Sequence, residues 1–494
     1  MFETEFLIRD ANSQAEFLRL ITKAAEIVRQ ALPKGPCDGK SPADLRQLMS
    51  AELLPRTAQK WDAIADAMRT VVANSVFVGD SNTIAHLHCP PLLPALAAEV
   101  VISALNQSMD SFDQAPIATI VEQQMMKWLC REAGLPSTAD GTFTTGGSQS
   151  NHMGLLLARD ACVKKQWNWS VQRTGLPPEA RLLRVFCSEV AHFTVEKSAA
   201  QLGLGTDAVI RIEVDERFRM RPSALRDGLR KAAANGLRPM AVVATAGTTD
   251  FGSVDPLGEI AKIAGDYGAW LHVDAAYGGA LLFSLQHKDK ISGIDSADSI
   301  TIDFHKLFWQ PIPCSAFLLR DAPYFEAIKL HADYLNPESH EEEGIPNLVT
   351  TSLLTSRRFD ALKLWISFQA VGREKLGSMI DRTVRLAAHA ADVIRRTPRF
   401  ELICEPQLST VVFRYVPRSA VDAHSFNAEL KQILFNEGVA VVGLTRVRDV
   451  GCLKFTCMNP TTSEEQIEAL IHTIAEGGRR LEEMQNRHRG KERL

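Results

Sequence analysis

Residues 299–309 read SITIDFHKLFW. The alternating apolar run over 299–304 predicts a β-strand. The run ends in an acid, an aromatic ring, a histidine and a lysine before the chain turns apolar again. Lys306 therefore has aromatic and aliphatic neighbours on both sides, where a fully solvated ammonium is not expected. Two readings are open for such a lysine. It snorkels from a strand edge, or it is an amine kept nucleophilic toward an aldehyde by partly apolar surroundings.

Outward from this strand, LLRVFCS (182–188), MAVVATAG (240–247), AWLHVDA (269–275) and SAFLLRD (315–321) read as further strands separated by helical stretches. That alternation predicts an α/β domain over 86–370 with a mainly parallel sheet, whose ligands sit beyond the strand C-termini. Residues 1–85 read as helical, from the apolar spacing in AEFLRLITKAAEIVRQAL (15–32) and LRQLMSAELL (45–54). Residues 371–494 read as a small α+β domain, with a helix at IDRTVRLAAHAADVIRRT (380–397), strands at STVVFRYV (409–416) and GCLKFTCM (451–458), and a final helix from 463.

Composition narrows the function classes. Across 494 residues the net charge is −4, so there is no electrostatic case for nucleic acid or anionic lipid as the main partner. The apolar stretch PPLLPALAAEVVISAL (90–105) is too short, and too interrupted by prolines and Glu99, to span a membrane. The start MFETEFLIRD lacks the features of a signal peptide. Nine scattered cysteines without a C-x-x-C pair read as reduced thiols, so a cytoplasmic enzyme is expected. HLHC (86–89) has no second ligand cluster to complete a metal site, and none is expected.

Three segments carry chemistry. In TFTTGGSQSNHMGLLLARD (142–160), Gly146 and Gly147 precede a periodic helix, and Ser148 stands at its start. The segment is either a phosphate cradle at a helix N-terminus or a plain Gly-Gly turn with a serine cap. In AWLHVDAAYGGA (269–280), Asp274 ends an apolar strand, where a carboxylate needs a cation or caps the next turn. Lys306 and His305 complete the set. An anion site, an acid and an amine on one sheet rim are together what pyridoxal 5′-phosphate requires.

With these residues assembled, the sequence resembles the group II pyridoxal-phosphate-dependent amino-acid decarboxylases, of fold type I. TTGGSQSN (144–151), SEVAHFTVEKSA (188–199), ATAGTTDFGSVDP (244–256), HVDAAYGG (272–279) and DFHK (303–306) occur in family order, and the resemblance runs from about residue 70 to 475. It implies that Lys306 carries the cofactor aldehyde and that Asp274 pairs with the ring nitrogen. It further implies that His192 stacks on the ring, that Gly147, Ser148 and His305 hold the phosphate, and that Ala276 and Thr245 lie beside the cofactor. Alone, His192 reads as a core histidine and Thr245 as an ordinary strand residue.

The family's mobile-loop tyrosine, ahead of the Arg-Arg-Phe motif at 357–359, falls on Leu348 by an ungapped count. That leaves Tyr334, His192 or another group as the proton donor at Cα. HLHCPPL (86–92), which contains His88, and residues 106–126 resemble pocket-lining segments of the family. The wording of the first, the loop over 334–365 and residues 401–414 resemble most the members acting on L-2,4-diaminobutyrate, with lysine decarboxylases of siderophore pathways nearly as similar. Asp110 or Asp113 can accept a distal ammonium, or both fix a local turn. The resemblance also implies a homodimer in which the N-terminal helices wrap on the partner.

Overall fold

The computed structural model describes residues 5–49, 53–418 and 423–492. The chain divides into two compact units, one of residues 87–388 with 404–411, the other of 1–86 with 389–403 and 412–494. The helical stretch read at 1–85 thus shares a unit with the C-terminal residues, and the helix Arg373–Arg396 runs across the division.

The larger unit holds a seven-stranded sheet. Its strands are β1 (Asp140–Thr144), β2 (Leu183–Ser188), β3 (Val209–Ile212), β4 (Arg238–Thr245), β5 (Trp270–Asp274), β6 (Ser299–Asp303) and β7 (Ser315–Leu319), in the spatial order β1-β7-β6-β5-β4-β2-β3. Strands β2 to β6 pair parallel, while β7 runs antiparallel to both β6 and β1. The parallel strands therefore end on one rim, at Ser188, Thr245, Asp274 and Asp303. β3 lacks a long apolar run, and only its pairing with β2 reveals it.

Both faces of the central strands are buried. The alternation in SITID does not separate core from solvent; it separates two interiors. Ile300 and Ile302 face one way, while Ser299, Thr301 and Asp303 face the other, in register with His272 and Asp274 of β5. A buried polar row of this kind must find hydrogen-bond partners. Thr301, His272 and Asp274 find them in Asn151 of the helix Gly147–Trp167, which packs against β5 and β6. Gly154 permits the approach, since a Cβ there would lie 2.4 Å from His272 Nδ1.

The smaller unit contains the helices Ala11–Ala31 and Trp61–Ala73, which pack together, and a four-stranded sheet. Its strands are β8 (Phe400–Leu402), β9 (Thr410–Tyr415, whose first two residues are counted with the larger unit), β10 (Gly443–Val447) and β11 (Val450–Thr456), in the order β10-β11-β9-β8. Within the segment LRQLMSAELL, the helix ends at Leu48, and residues 50–52 lie outside the described residues. Among the described residues, no helix is long and apolar enough to cross a membrane.

Candidate active site

The helix Gly147–Trp167 starts at the rim of the sheet with no side chain capping its first turn. Its leading N–H groups and the helix dipole make that end favourable to an anion. Gly147 is packed so closely that a Cβ would sit 3.2 Å from both the Ala276 Cβ and an Asp303 carboxylate oxygen. Ser148 beside it is exposed. The structure thus brings Gly147, Ala276, Asp303 and the strand-end loop to one place.

Lys306 lies just past β6. Its Nζ is 2.9 Å from Asp303 Oδ2, an i,i+3 pair in which the carboxylate is almost fully enclosed. Ser315 Oγ donates to the other Asp303 oxygen at 2.7 Å. Burial alone would raise the Asp303 carboxyl, but the charges of Lys306 and His305 and the hydrogen bonds from Ser315 and Lys306 hold it below the usual carboxylate range. His305 packs its Nδ1 2.9 Å from the Cys314 carbonyl oxygen and its Nε2 3.6 Å from Asp303. Burial lowers its pKa, which favours the neutral ring.

Asp274 is buried at the end of β5, opposite Thr245 in register. Its oxygens accept from Asn151 Nδ2 at 2.8 Å and from the Ala276 backbone N–H at 3.1 Å. Among the described residues it forms no ion pair. The Oγ1 of Thr245 and the Oγ of Ser188, both at strand ends on this rim, are buried without a hydrogen-bond partner among the described residues. His192 follows β2 in a turn, its Nδ1 2.8 Å from Thr194 Oγ1. Burial lowers the His192 pKa, opposed by Asp274 and reinforced by Lys306, so this ring feels both charged groups.

Of the residues expected at a substrate pocket, Asp110 and Leu348 lie on segments bonded to each other, the Val349 N–H donating to the Asp110 carbonyl oxygen at 3.1 Å. Tyr334 is 89% exposed. Leu348 is buried, and lines a cavity of about 300 Å³ beside the β1 edge with Glu122, Asp140 and Asn347. Asp110 is buried in a local turn, taking the Ser111 N–H at 2.9 Å, while Asp113 is exposed and accepts from Ser111 Oγ at 2.5 Å. His88 is exposed, but its segment is tied to the lysine loop. Cys89 Sγ meets the His305 carbonyl at 3.3 Å, and the Leu92 N–H donates to that of Trp309 at 2.9 Å.

Two site residues escaped the sequence reading. Asp303 was visible in DFHK, three positions before the lysine, yet its partner could not be assigned without the strand end. Asn151 sits in TTGGSQSN, where the signal was a helix start rather than a bond to a strand 123 residues away.

The donor set fits pyridoxal 5′-phosphate. It offers an uncapped helix end for the phosphate, an amine for the aldehyde, a buried carboxylate lacking a cation for the ring nitrogen, and unpaired hydroxyls beside it. Fold and site together define a pyridoxal-phosphate enzyme of fold type I. The sequence profile of the pyridoxal-dependent decarboxylase conserved domain matches residues 42–416, and the chain belongs to that family of carboxy-lyases. It is 40% identical to an L-2,4-diaminobutyrate decarboxylase of Acinetobacter baumannii, over 97% of this chain and 96% of the relative. A protein of the same description from Rhizobium meliloti (strain 1021) is also 40% identical, over 97% and 95%. A crystal structure of the glutamate decarboxylase domain of a diaminobutyrate-pyruvate transaminase and L-2,4-diaminobutyrate decarboxylase from Vibrio parahaemolyticus superposes with a TM-score of 0.89, at 40% identity, covering 97% of this chain and 98% of that one.

Proposed function

We propose that this chain decarboxylates L-2,4-diaminobutyrate, giving 1,3-diaminopropane and carbon dioxide, as a cytoplasmic homodimer serving siderophore or polyamine synthesis. The observation that carries the substrate is 40% identity, along nearly the whole chain, to two relatives named for that reaction. The convergence of Lys306, Asp274 and His192 on one sheet rim supports the chemistry.

When bound, pyridoxal 5′-phosphate supplies an electron sink for the bond broken at the substrate Cα. Lys306 Nζ would hold the cofactor aldehyde. Asp274 keeps the ring nitrogen protonated, so that the ring remains electron-poor. His192 and Ala276 would flank the ring, and Thr245 would lend a hydroxyl that has no partner among the described residues. Gly147, Ser148 and His305 would hold the phosphate at the helix N-terminus. With Leu348 at the mobile-loop position, His192, Lys306 or the exposed Tyr334 would carry the proton to Cα. Asp110 is the better enclosed of the two acids proposed for the distal ammonium.

The test is carbon dioxide release by the cofactor-loaded protein across L-2,4-diaminobutyrate, lysine, ornithine, glutamate, aspartate and aromatic amino acids. The highest kcat/KM is expected for diaminobutyrate. A higher value for lysine or ornithine would move the substrate, and a visible cofactor band without any turnover would make the chain a silent cofactor-binding protein.

A further inference from the structure

Asn151 is buried, and its amide makes four side-chain hydrogen bonds. Nδ2 lies 2.8 Å from Asp274 Oδ2 and 3.0 Å from Thr194 Oγ1. Oδ1 lies 2.9 Å from His272 Nε2 and 2.8 Å from Thr301 Oγ1. The orientation of the amide is fixed chemically. The Asp274 carboxylate only accepts, so the group facing it must be the NH2, and turning the amide over would set two oxygens against each other.

From that starting point the donors propagate. His272 Nε2 must donate to Asn151 Oδ1, so its Nδ1 accepts from Ser299 Oγ at 2.8 Å, and Ser299 in turn accepts from Trp270 Nε1 at 2.8 Å. On the other side, Thr194 Oγ1 accepts from Asn151, leaving its single hydrogen for His192 Nδ1 at 2.8 Å. The Thr194 backbone N–H points at the same nitrogen at 3.4 Å. Two donors therefore meet His192 Nδ1, which acts as an acceptor. The ring proton of neutral His192 is on Nε2, which makes no hydrogen bond among the described residues.

We propose that Asn151 and Thr194 are positioning residues that lock His192 as its Nε2–H tautomer and tie that ring to the Asp274 carboxylate. The inference rests on the reading above, in which His192 and Asp274 face one cofactor, and it resolves which nitrogen of His192 can hand over a proton. The groups whose charges reach His192 are Asp274, Lys306, Asp303 and Asp250, with the Phe193 ring 4.4 Å away. Burial favours the neutral ring, and the donors directed at Nδ1 favour it further, because an imidazolium would set its N–H against the Thr194 backbone N–H and force the hydroxyl to turn.

The experiment is two-dimensional long-range 1H–15N correlation on the cofactor-free protein carrying 15N-histidine, with His192 assigned from the spectrum of His192→Gln. The wild type is expected to show Nε2 protonated and Nδ1 bare at pH 7.5. Thr194→Val keeps the side-chain shape but removes the hydroxyl, so His192 should become a mixture of tautomers and titrate higher by roughly one pH unit. Thr194→Ser should restore both properties. A wild-type ring protonated on Nδ1, or a Thr194→Val spectrum and titration unchanged from wild type, overturns the proposal. Because no cofactor is present, failure here leaves the decarboxylase reading standing, while failure of the substrate panel leaves the tautomer result standing.

Discussion

Replacing Asp303 by Asn tests whether the buried Lys306–Asp303 pair holds the rim of the sheet together. At 2.9 Å, an effective dielectric near 20 gives an attraction of about 6 kcal/mol, an upper bound before desolvation is subtracted. Removing one partner of such a pair costs about 3–5 kcal/mol. Lys306 retains some access to water, so the lower end applies, about 3 kcal/mol. At about 2.1 cal/mol/K per residue over the roughly 310 residues of the larger unit, that is a fall in Tm of about 4–5 °C. The assay is thermal unfolding of the cofactor-free protein at pH 7.5, for wild type, Asp303→Asn, Lys306→Met and the double variant. If the pair is the cause, the double variant should lose about 3–4 °C less than the two single losses added, because neither charge is then left alone. The sign with pH is also fixed. A carboxylate held below its unfolded value contributes stability that is complete above about pH 4 and fades as the pH falls through the lower folded value. The gap between wild type and Asp303→Asn should therefore be constant from pH 6 to 8 and close in acid. Additive single losses, or a gap that widens in acid, would refute the reasoning.

Two further outcomes follow from the same packing. Lys306→Met should bind pyridoxal 5′-phosphate without the visible absorbance of the wild type, leave no label after borohydride reduction, and show no measurable decarboxylation. Gly154→Ala sets a methyl group 2.4 Å from His272 Nδ1, overpacking a filled helix–sheet contact. It should cost about 2–3 kcal/mol, read as a Tm lower by about 3–5 °C, and an unchanged Tm would show that the helix can move off the strand.

Much of the larger unit was legible because parallel strands buried on both faces announce themselves as apolar runs ending in a change of chemistry. The five strands read from sequence are all present, and Asp274 and Lys306 stood out because each stands where such a run stops, while Thr245 came only from the resemblance. What stayed hidden had a physical cause. VIRI (209–212) is too short to stand out and becomes a strand by pairing with β2. For Ser299, Thr301 and His272, period-two spacing does not say what covers the polar side. It is covered by a helix whose Asn151 bonds His272 and Thr301, while Ser299 bonds Trp270 and His272. The pocket residues were hardest, because a carboxylate in a turn has the same sequence signal whether it faces a ligand or its own backbone. Asp110 and Asp113 both bond within their own turn, through Ser111.

Two buried carboxylates end adjacent parallel strands, and their different partners bear on which one serves a bound ring. Asp303 has its cation built in, with Lys306 at 2.9 Å and His305 beside it. Among the described residues, Asp274 has only neutral donors, one amide and one backbone N–H. A buried carboxylate with neutral partners is incompletely compensated and gains most from a cation brought by a ligand. A protonated ring nitrogen is such a cation, which supports giving that role to Asp274 and not to Asp303. The reverse assignment would require Asp303 to release Lys306, leaving an ammonium unpaired in the same enclosure. Asp303 faces both Lys306 Nζ, at 2.9 Å, and His305 Nε2, at 3.6 Å. That carboxylate thus links the amine proposed for the cofactor aldehyde to the histidine proposed for its phosphate, although the sequence shows it only as the first letter of DFHK.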